Sequence, residues 1–372
     1  MHLYIHIPFC KKACHYCDFH FSTQTDYADR MVNAICTELV LRKFEVQNAL
    51  ETIYFGGGTP SLLSEKQLKK IFHVIYENYL IAENPEITLE ANPDDLTEEK
   101  LTELKSAGVN RLSIGIQSFR DEDLKWMNRS HNAGQAEACV WMAQKTGFDN
   151  ITIDLIYGIP SLTASDWEKN LTMAVNLNPK HISAYCLTIE SKTVFGHRLK
   201  KGDLNPVDDD KSSEQFLFMR DFLAKHGFMQ YEVSNFSKPG FESKHNTSYW
   251  LGKKYIGVGP GAHSYDGAWR RWNISNNQIY MQGIENGLDY FEEEELTMEN
   301  RMNEAIMISL RTVGGLNSMK FRECFGEENT DKLMKRADKH FSDGNLVSTD
   351  GFIQATEKGL LLIDAICADL FF

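Results

Sequence analysis

Six short runs rich in β-branched and aromatic residues recur through the first half of the chain, and their spacing constrains the fold more than any other feature. They are Leu3–Pro8, Thr52–Phe55, Glu86–Ala91, Arg111–Gln117, Asn150–Tyr157 and Lys180–Leu187, with longer amphipathic stretches between them. Each run is nearly continuous in apolar residues. Strands of that kind are covered on both faces, as parallel strands under helices are. Six such units predict an α/β fold, either a partial (β/α)6 barrel or an open sheet. The two differ in curvature, which periodicity does not carry. In both, ligands gather at the carboxyl ends of the strands.

Two helices have readable starts. Ser64 with Gln67, and Ser165 with Glu168, each fit a capping box. The first leads into Leu68, Ile71, Phe72 and Ile75, the second into Leu171, Ala174 and Val175, both at helical spacing. After about residue 200 the rhythm changes. A helix around Ser213–Lys225 precedes a strand-like run, Met229–Val233, then the Gly-rich Gly257–Gly261 and the aromatic Trp269–Trp272. From Thr297 onward, helices lead to Gly344–Thr356, which reads as a hairpin turning at Asp350-Gly351, and to a last helix, Glu357–Leu370. Helices with one hairpin form a winged-helix-like pattern. The chain thus divides into a core at 1–235, a bridging segment at 236–290 and a C-terminal unit at 291–372. The acidic run Glu292–Glu295 is expected in a solvated linker or at a helix start.

At 372 residues, 42% hydrophobic and 24% charged, the chain has the composition of a soluble globular protein of about two domains. Its net charge of −13 argues against a nucleic-acid scaffold, whose affinity comes from neutralising phosphates. The winged-helix-like segment 316–372 holds 7 Lys/Arg against 10 Asp/Glu, so it reads as a structural or docking unit. No run approaches the ~18 apolar residues of a membrane span, and no basic segment precedes Leu3 as in an export signal. Of eight cysteines, three crowd into Cys10–Cys17 and the others scatter, which suits metal binding in the cytoplasm rather than cross-linking.

That crowding is Cys10-Lys-Lys-Ala-Cys14-His-Tyr-Cys17, directly after the first strand. Three thiolates in a short loop can each take one iron of a [4Fe–4S] cube, which normally has four cysteine ligands. Two residues further on stands Phe19, not a fourth cysteine. One iron is then left for a small-molecule chelate, and the amino and carboxylate groups of S-adenosylmethionine suit it. The alternative is zinc, which usually takes two Cys-x2-Cys pairs; the second pair is missing.

CxxxCxxC after the first strand, with Gly56-Gly57-Gly58-Thr59-Pro60 after the second, resembles the radical S-adenosylmethionine superfamily. The whole chain from Leu3 is similar to the oxygen-independent coproporphyrinogen oxidase family, and most to its HemW-type branch of haem chaperones. The resemblance implies a radical-SAM-type partial barrel with Cys10, Cys14 and Cys17 holding the cluster. It also implies S-adenosylmethionine contacts at Tyr4, Gly57, Gly58, Thr59, Glu90, Gln117, Arg129 and Asp154. An arginine can pair with the methionine carboxylate, and carboxylates accept from ribose hydroxyls or the amino group. Tyr16, between the second and third cysteines, is placed to lie against adenine. Tyr185, Cys186 and His263 are further candidates for the rim.

His245-Asn246-Thr247-Ser248-Tyr249-Trp250 is the HNxxYW signature that sets the HemW-like branch apart from the oxidases. Read alone, a histidine and two aromatics in a loop suit a structural cluster. The resemblance implies that His245, Asn246, Tyr249 and Trp250 take part in haem handling, without fixing the atom that meets iron. Arg270 and Arg271, beside Trp269 and Trp272, are candidates for porphyrin carboxylates or, equally, exposed arginines on a hairpin.

Three functions compete. One is a haem chaperone that carries a cluster and S-adenosylmethionine and passes haem to an acceptor protein, with an electron donor for the cluster. Another is an oxidase that decarboxylates two propionates of coproporphyrinogen III. The last is a cluster-containing regulator. Phe19 in place of a cysteine, a start close to the first strand, and the HNTSYW motif favour the chaperone. The acidic C-terminal unit speaks against the regulator.

Overall fold

The computed structural model describes all 372 residues. Six strands run parallel and in chain order: β1 (His2–Ile7), β2 (Leu50–Gly57), β3 (Ile81–Ala91), β4 (Arg111–Gln117), β5 (Asn150–Tyr157) and β6 (His181–Cys186). β7 (Met229–Glu232) and β8 (Asn235–Ser237) add antiparallel beyond β6. On the other flank, β9 (Tyr255–Val258) pairs parallel with β1, followed by β10 (His263–Tyr265), β11 (Trp269–Asn273) and β12 (Phe291–Glu295).

Side chains from the ends of β2 through β6 all line one cavity of about 640 Å³. A flat array of five strands would spread those ends over about 19 Å, at ~4.8 Å per strand. The sheet therefore curves into a partial barrel that does not close. Leu3, Ile5 and Ile7 on β1 alternate toward the helices, with Met31, Ile35 and Leu39 of helix Ala28–Leu41 in the same apolar core.

The capping box at Ser64 and Gln67 is present and starts helix Glu65–Asn78. Ser165 does not cap the helix it was expected to start. Thr163 does, accepting from Asp166 N, and the helix is Ala164–Asn176. Ser165 lies already inside the first turn; Leu171 and Ala174 are buried as expected, while Val175 is half-buried. The helix expected at Ser213 begins earlier, at Asp209, capped by Asp208.

Glu292–Glu295 is neither linker nor helix start; it belongs to β12, the edge of the sheet. Its charges face opposite ones, with Arg270 across from Glu294 and Arg271 across from Glu293. An edge strand of exposed carboxylates also resists pairing with other chains.

A second, smaller core spans Met302 to Leu370. It joins helix Met298–Leu310, helix Ser318–Phe325 and helix Glu327–Ser342 to a sheet of β13 (Leu316–Asn317), β14 (Leu346–Thr349) and β15 (Phe352–Ala355). The hairpin turns at Asp350 and Gly351, both with positive φ (52° and 81°), as the mirror-image hairpin turn requires. The single last helix of the sequence reading is two, Glu357–Leu360 and Ile363–Leu370. No helix is long and apolar enough to cross a membrane.

Glu38, fully buried in helix Ala28–Leu41, ties the β9 flank to the barrel. It accepts from Arg42 (3.2 Å), Gly259 N (2.8 Å), Asn273 Nδ2 (2.8 Å) and Tyr280 Oη (2.6 Å). Removing it takes this acceptor from the buried Gly259 N and Tyr280 Oη and leaves Arg42, only 3% exposed, to Glu45, Gly257 O and Ser264. Glu38→Ala is expected to cost about 3–5 kcal/mol, the scale of a broken buried ionic network, and chaotrope unfolding measures it; Glu38→Gln, which keeps one acceptor, is expected to cost less.

Candidate functional site

The cysteine loop leaves the carboxyl end of β1 and is held from three sides. Cys10 N donates to Ser22 O (3.0 Å), His15 N to Met127 O (3.0 Å), and Asn128 Nδ2 to Ala13 O (2.8 Å). Lys11 pairs with Asp94 (2.9 Å) and with Asp95. Cys10, Cys14 and Cys17 are free thiols, half-buried, on the wall of the barrel cavity. Burial pushes the Cys10 and Cys17 thiols up to about 11, opposed at Cys10 by the hydroxyl of Thr59 at 3.5 Å.

Arg129 joins the loop to the barrel. Nη1 reaches Tyr16 Oη (3.3 Å) and Cys14 Sγ (3.5 Å); Nη2 donates to Asn92 Oδ1 and Gly115 O, both at 2.7 Å. Its buried Nε has no partner. Gly57 sits at φ 106°, where a Cβ would lie 2.5 Å from the His6 ring, and its N–H donates to Glu90 Oε2 (3.1 Å). Gly58 and Thr59 donate back to Ile7 O and Phe9 O, so the Gly-rich turn is clamped against the start of the cysteine loop. Gln117 ends β4 with φ 69°, a left-handed backbone that a side chain rarely adopts.

Burial raises the Glu90 carboxyl to about 7, and the Asp154 charge adds to it; Tyr54 Oη, which donates at 2.9 Å, offsets part. Burial likewise raises Asp154 to about 6, against hydrogen bonds from Ser183 and Ser113. Two carboxylates with raised pKa in one cavity, and a cationic arm at its mouth, form a site that gains when a positively charged ligand enters.

The cavity gathers Cys10, Cys14, Tyr16, Cys17, Gly57, Gly58, Thr59, Glu90, Gln117, Arg129 and Asp154, with Tyr185 and Cys186 on its rim. Phe19, 71% exposed, lines it too. Tyr4 is not on its wall; it stacks behind Tyr54 and bonds His6 Nδ1 (3.1 Å). His263 lies outside it, stacked on Trp272. Sequence reasoning missed Asn92, Tyr54, Ser113 and Ser183. Asn92 alone had a readable signal, standing at the carboxyl end of β3 before Pro93.

The HNTSYW residues form helix Lys244–Trp250, capped by Ser243, against the barrel floor. His245 is 1% exposed and stacks on Tyr54. Both its ring nitrogens are engaged, Nδ1 by Thr52 Oγ1 (2.6 Å) and Nε2 by Tyr249 Oη (2.9 Å), so it presents no free nitrogen to a ligand. Asn246 faces the barrel cavity, whereas Tyr249 and Trp250 line a different one of about 1080 Å³. Arg270 lines that second cavity and pairs with Glu304 (2.8 Å). Arg271 is committed to packing, with its guanidinium 3.4 Å from the Phe291 ring centroid and Nη2 on Tyr290 Oη (3.0 Å).

Residues 4–174, which hold the cysteine loop and the barrel from β1 through β5, match the radical SAM superfamily model. A solved coproporphyrinogen III oxidase from Escherichia coli, described as a radical SAM enzyme, superposes with a TM-score of 0.87 at 25% identity. It covers 100% of this chain and 89% of that one. The curated "Heme chaperone HemW" of Bacillus subtilis is 38% identical over 366 residues, 96% of each chain. That of Escherichia coli is 32% identical over 378 residues, 98% of this chain and 96% of that one. The chain belongs to the HemW family.

The raised carboxyls set a pH dependence in the unliganded chain. A folded-state pKa above the unfolded one favours folding at low pH and loses stability as pH rises toward the folded value. For Asp154 the window runs from about pH 4 to about pH 6. Asp154→Asn is expected to gain stability on the parent across that window and then level off, read as urea midpoints at several pH values.

Proposed function

We propose that this protein is a haem chaperone, holding a [4Fe–4S] cluster on Cys10, Cys14 and Cys17 with S-adenosylmethionine beside it, and passing haem to an acceptor protein. The observation that carries the haem part is likeness over nearly the whole of both chains to relatives named haem chaperones. The residues present fit the cofactors. Cys10, Cys14 and Cys17 line one wall of the barrel cavity, which suits a cube in which each sulfur meets its own iron. The unpartnered Nε of Arg129 leaves a donor for a carboxylate.

When bound, the cluster supplies single electrons and S-adenosylmethionine a reducible sulfonium. The chain does the holding. Arg129 and Thr59 fix the sulfurs' surroundings and exclude water from the loop's inner side. Glu90 and Asp154 are held more firmly ionised as a cation arrives and accept from hydroxyl or ammonium donors; Gln117 and the Gly57 backbone shape the nucleoside side. Tyr16, pinned by Arg129, lies against the base, and Tyr4 acts from behind Tyr54. His245 holds the motif helix to the floor, and Asn246, Tyr249 and Trp250 are presented from it to the two cavities.

The division into 1–235, 236–290 and 291–372, its last boundary moved past β12 because Phe291–Glu295 belongs to the large sheet, is read as holding of the cofactors, presentation of the motif and docking of the acceptor in turn. Free thiols and a cluster loop belong in a reducing compartment, which we take to be the cytoplasm. An electron donor is needed for the cluster. Coproporphyrinogen oxidation is not part of this reading, because Phe19 stands where the oxidases have a further cysteine.

Anaerobic reconstitution tests it. The chain is expected to take up about four irons and four sulfides, and Cys14→Ser to lose them. Glu90→Gln is expected to weaken S-adenosylmethionine binding at least about tenfold, roughly 1.4 kcal/mol, the scale of a lost charged hydrogen bond. Haemin should bind one per chain with no decarboxylation of coproporphyrinogen III. Zinc in place of iron and sulfide, or turnover to protoporphyrinogen, would overturn the reading.

A further inference from the structure

The second cavity lies between the barrel floor and the C-terminal unit, and nothing in the cofactor reading uses it. One wall is the motif helix, with Tyr249 and Trp250; the other is formed by helices Met298–Leu310 and Ser318–Phe325. Its volume, about 1080 Å³, stands at the top of the ~300–1,000 Å³ range of small-molecule sites. The barrel cavity is smaller, about 640 Å³, and on the reading above already houses a cube and a nucleoside.

The lining has the chemistry of a flat, carboxylate-bearing macrocycle. Tyr249, Trp250, Tyr255, Tyr265, Phe325 and Phe352 offer ring faces. Lys244, Arg301 and Lys320 also line it, all exposed and none in an ion pair, on a chain whose net charge is −13. Of the carboxylates in the lining, Glu51 and Glu304 are paired with Lys253 and Arg270 and Glu242 alone is not, so the cavity keeps an excess of positive charge on an acidic protein, which favours an anion. Among the lining residues, His2 Nε2, Thr247 Oγ1 and Arg270 Nε are buried polar atoms without partners. His2 is 1% exposed, and its Nδ1 is fixed by Thr52 Oγ1 at 2.9 Å. Buried groups of that kind are normally satisfied, by protein, water or ligand.

We infer that this interdomain cavity is the haem-holding pocket, with Arg301 and Lys320 taking the two porphyrin carboxylates and the Tyr249–Trp250 wall covering a macrocycle face. This rests on the haem-chaperone reading and gives it a location outside the barrel. Haem is held by a wall from each unit, so that opening the two units releases it.

Two cysteines report the location. Cys324 and Cys186 are the exposed thiols, the first on the interdomain cavity, the second on the barrel cavity. The cluster-reconstituted full chain is titrated with haemin, then given a brief pulse of N-ethylmaleimide, and each cysteine's labelling is read by mass spectrometry. Iron-free protoporphyrin IX is run in parallel, since it cannot oxidise thiols through iron. Both porphyrins are expected to slow labelling of Cys324 at least tenfold and leave Cys186 unchanged. The double variant Arg301→Glu, Lys320→Glu is expected to fold and to bind haemin at least tenfold more weakly by absorbance titration.

Protection of Cys186 instead of Cys324, protection by haemin alone, or unchanged affinity in the double variant would overturn the pocket while leaving the chaperone reading in place. A wild-type chain that takes up no haemin would overturn that reading, and the pocket with it.

Discussion

β1 sits between β2 and β9, parallel to both, and this pairing sets up everything else. It fixes where the chain must leave the sheet. Cys10 falls three residues past the strand's end, at the mouth of the barrel, because Ile7 and Gly57 are still in register. Gly58 N then bonds Ile7 O and Thr59 N bonds Phe9 O, so the glycine turn and the cysteine loop are two sides of one backbone contact. A Cβ at position 58 would lie 2.6 Å from Phe9 O. The glycines act here mainly by letting two chain segments meet, and the ligand surface follows from that approach.

From the mouth inward, the barrel interior is polar in layers. Glu90 and Asp154 lie near the top; below them Thr52, Glu86, Arg111, Thr152 and His181 are all buried. Polar side chains at that depth cost free energy unless they bond each other. They do so partly through the motif helix: Glu86 accepts from Lys244 N and His245 N (both 3.0 Å), and Thr52 joins His2 to His245. Burial lowers His245 to about 3 and His2 to about 4, so both rings are neutral near neutral pH and can share a hydroxyl. The helix is a stopper whose inner face completes the barrel floor.

How far the sequence foretold this differs by feature, for physical reasons. β4 and β5 were legible to the residue, since their alternate positions Leu112, Ile114, Ile116 and Ile151, Ile153, Leu155 face the apolar core under the helices. The cysteine loop was legible because thiol spacing in a short loop is chemically rare. Ser165 misled because Thr163, two positions earlier, offers the same hydroxyl. Glu292–Glu295 misled because four carboxylates predict solvation, and solvation is compatible with an edge strand once cationic residues lie across from it. Tyr54 was hidden inside a run that read as packing, whereas Asn92 stood at a strand's carboxyl end, where its position was the signal. That both nitrogens of His245 are taken was not legible in the sequence, since Thr52, one of its partners, lies 193 residues away.

The motif's split between two cavities follows from helix geometry. Residues about 100° apart on a seven-residue helix cannot all face one ligand. Asn246 points into the barrel while Tyr249 and Trp250 face outward to the C-terminal unit. Arg311 reinforces that outward side, its guanidinium 5.8 Å from the Trp250 ring, while its carbonyl accepts from Val233 N at 3.0 Å. The same short helix therefore touches the barrel cavity and the interdomain cavity, with His245 anchoring it to the floor. The helix is anchored to β2 through His245, which joins Tyr249 and Thr52 by hydrogen bonds of 2.9 Å and 2.6 Å. Six residues that sequence alone presents as a single motif thereby divide between the barrel floor and the walls of two cavities.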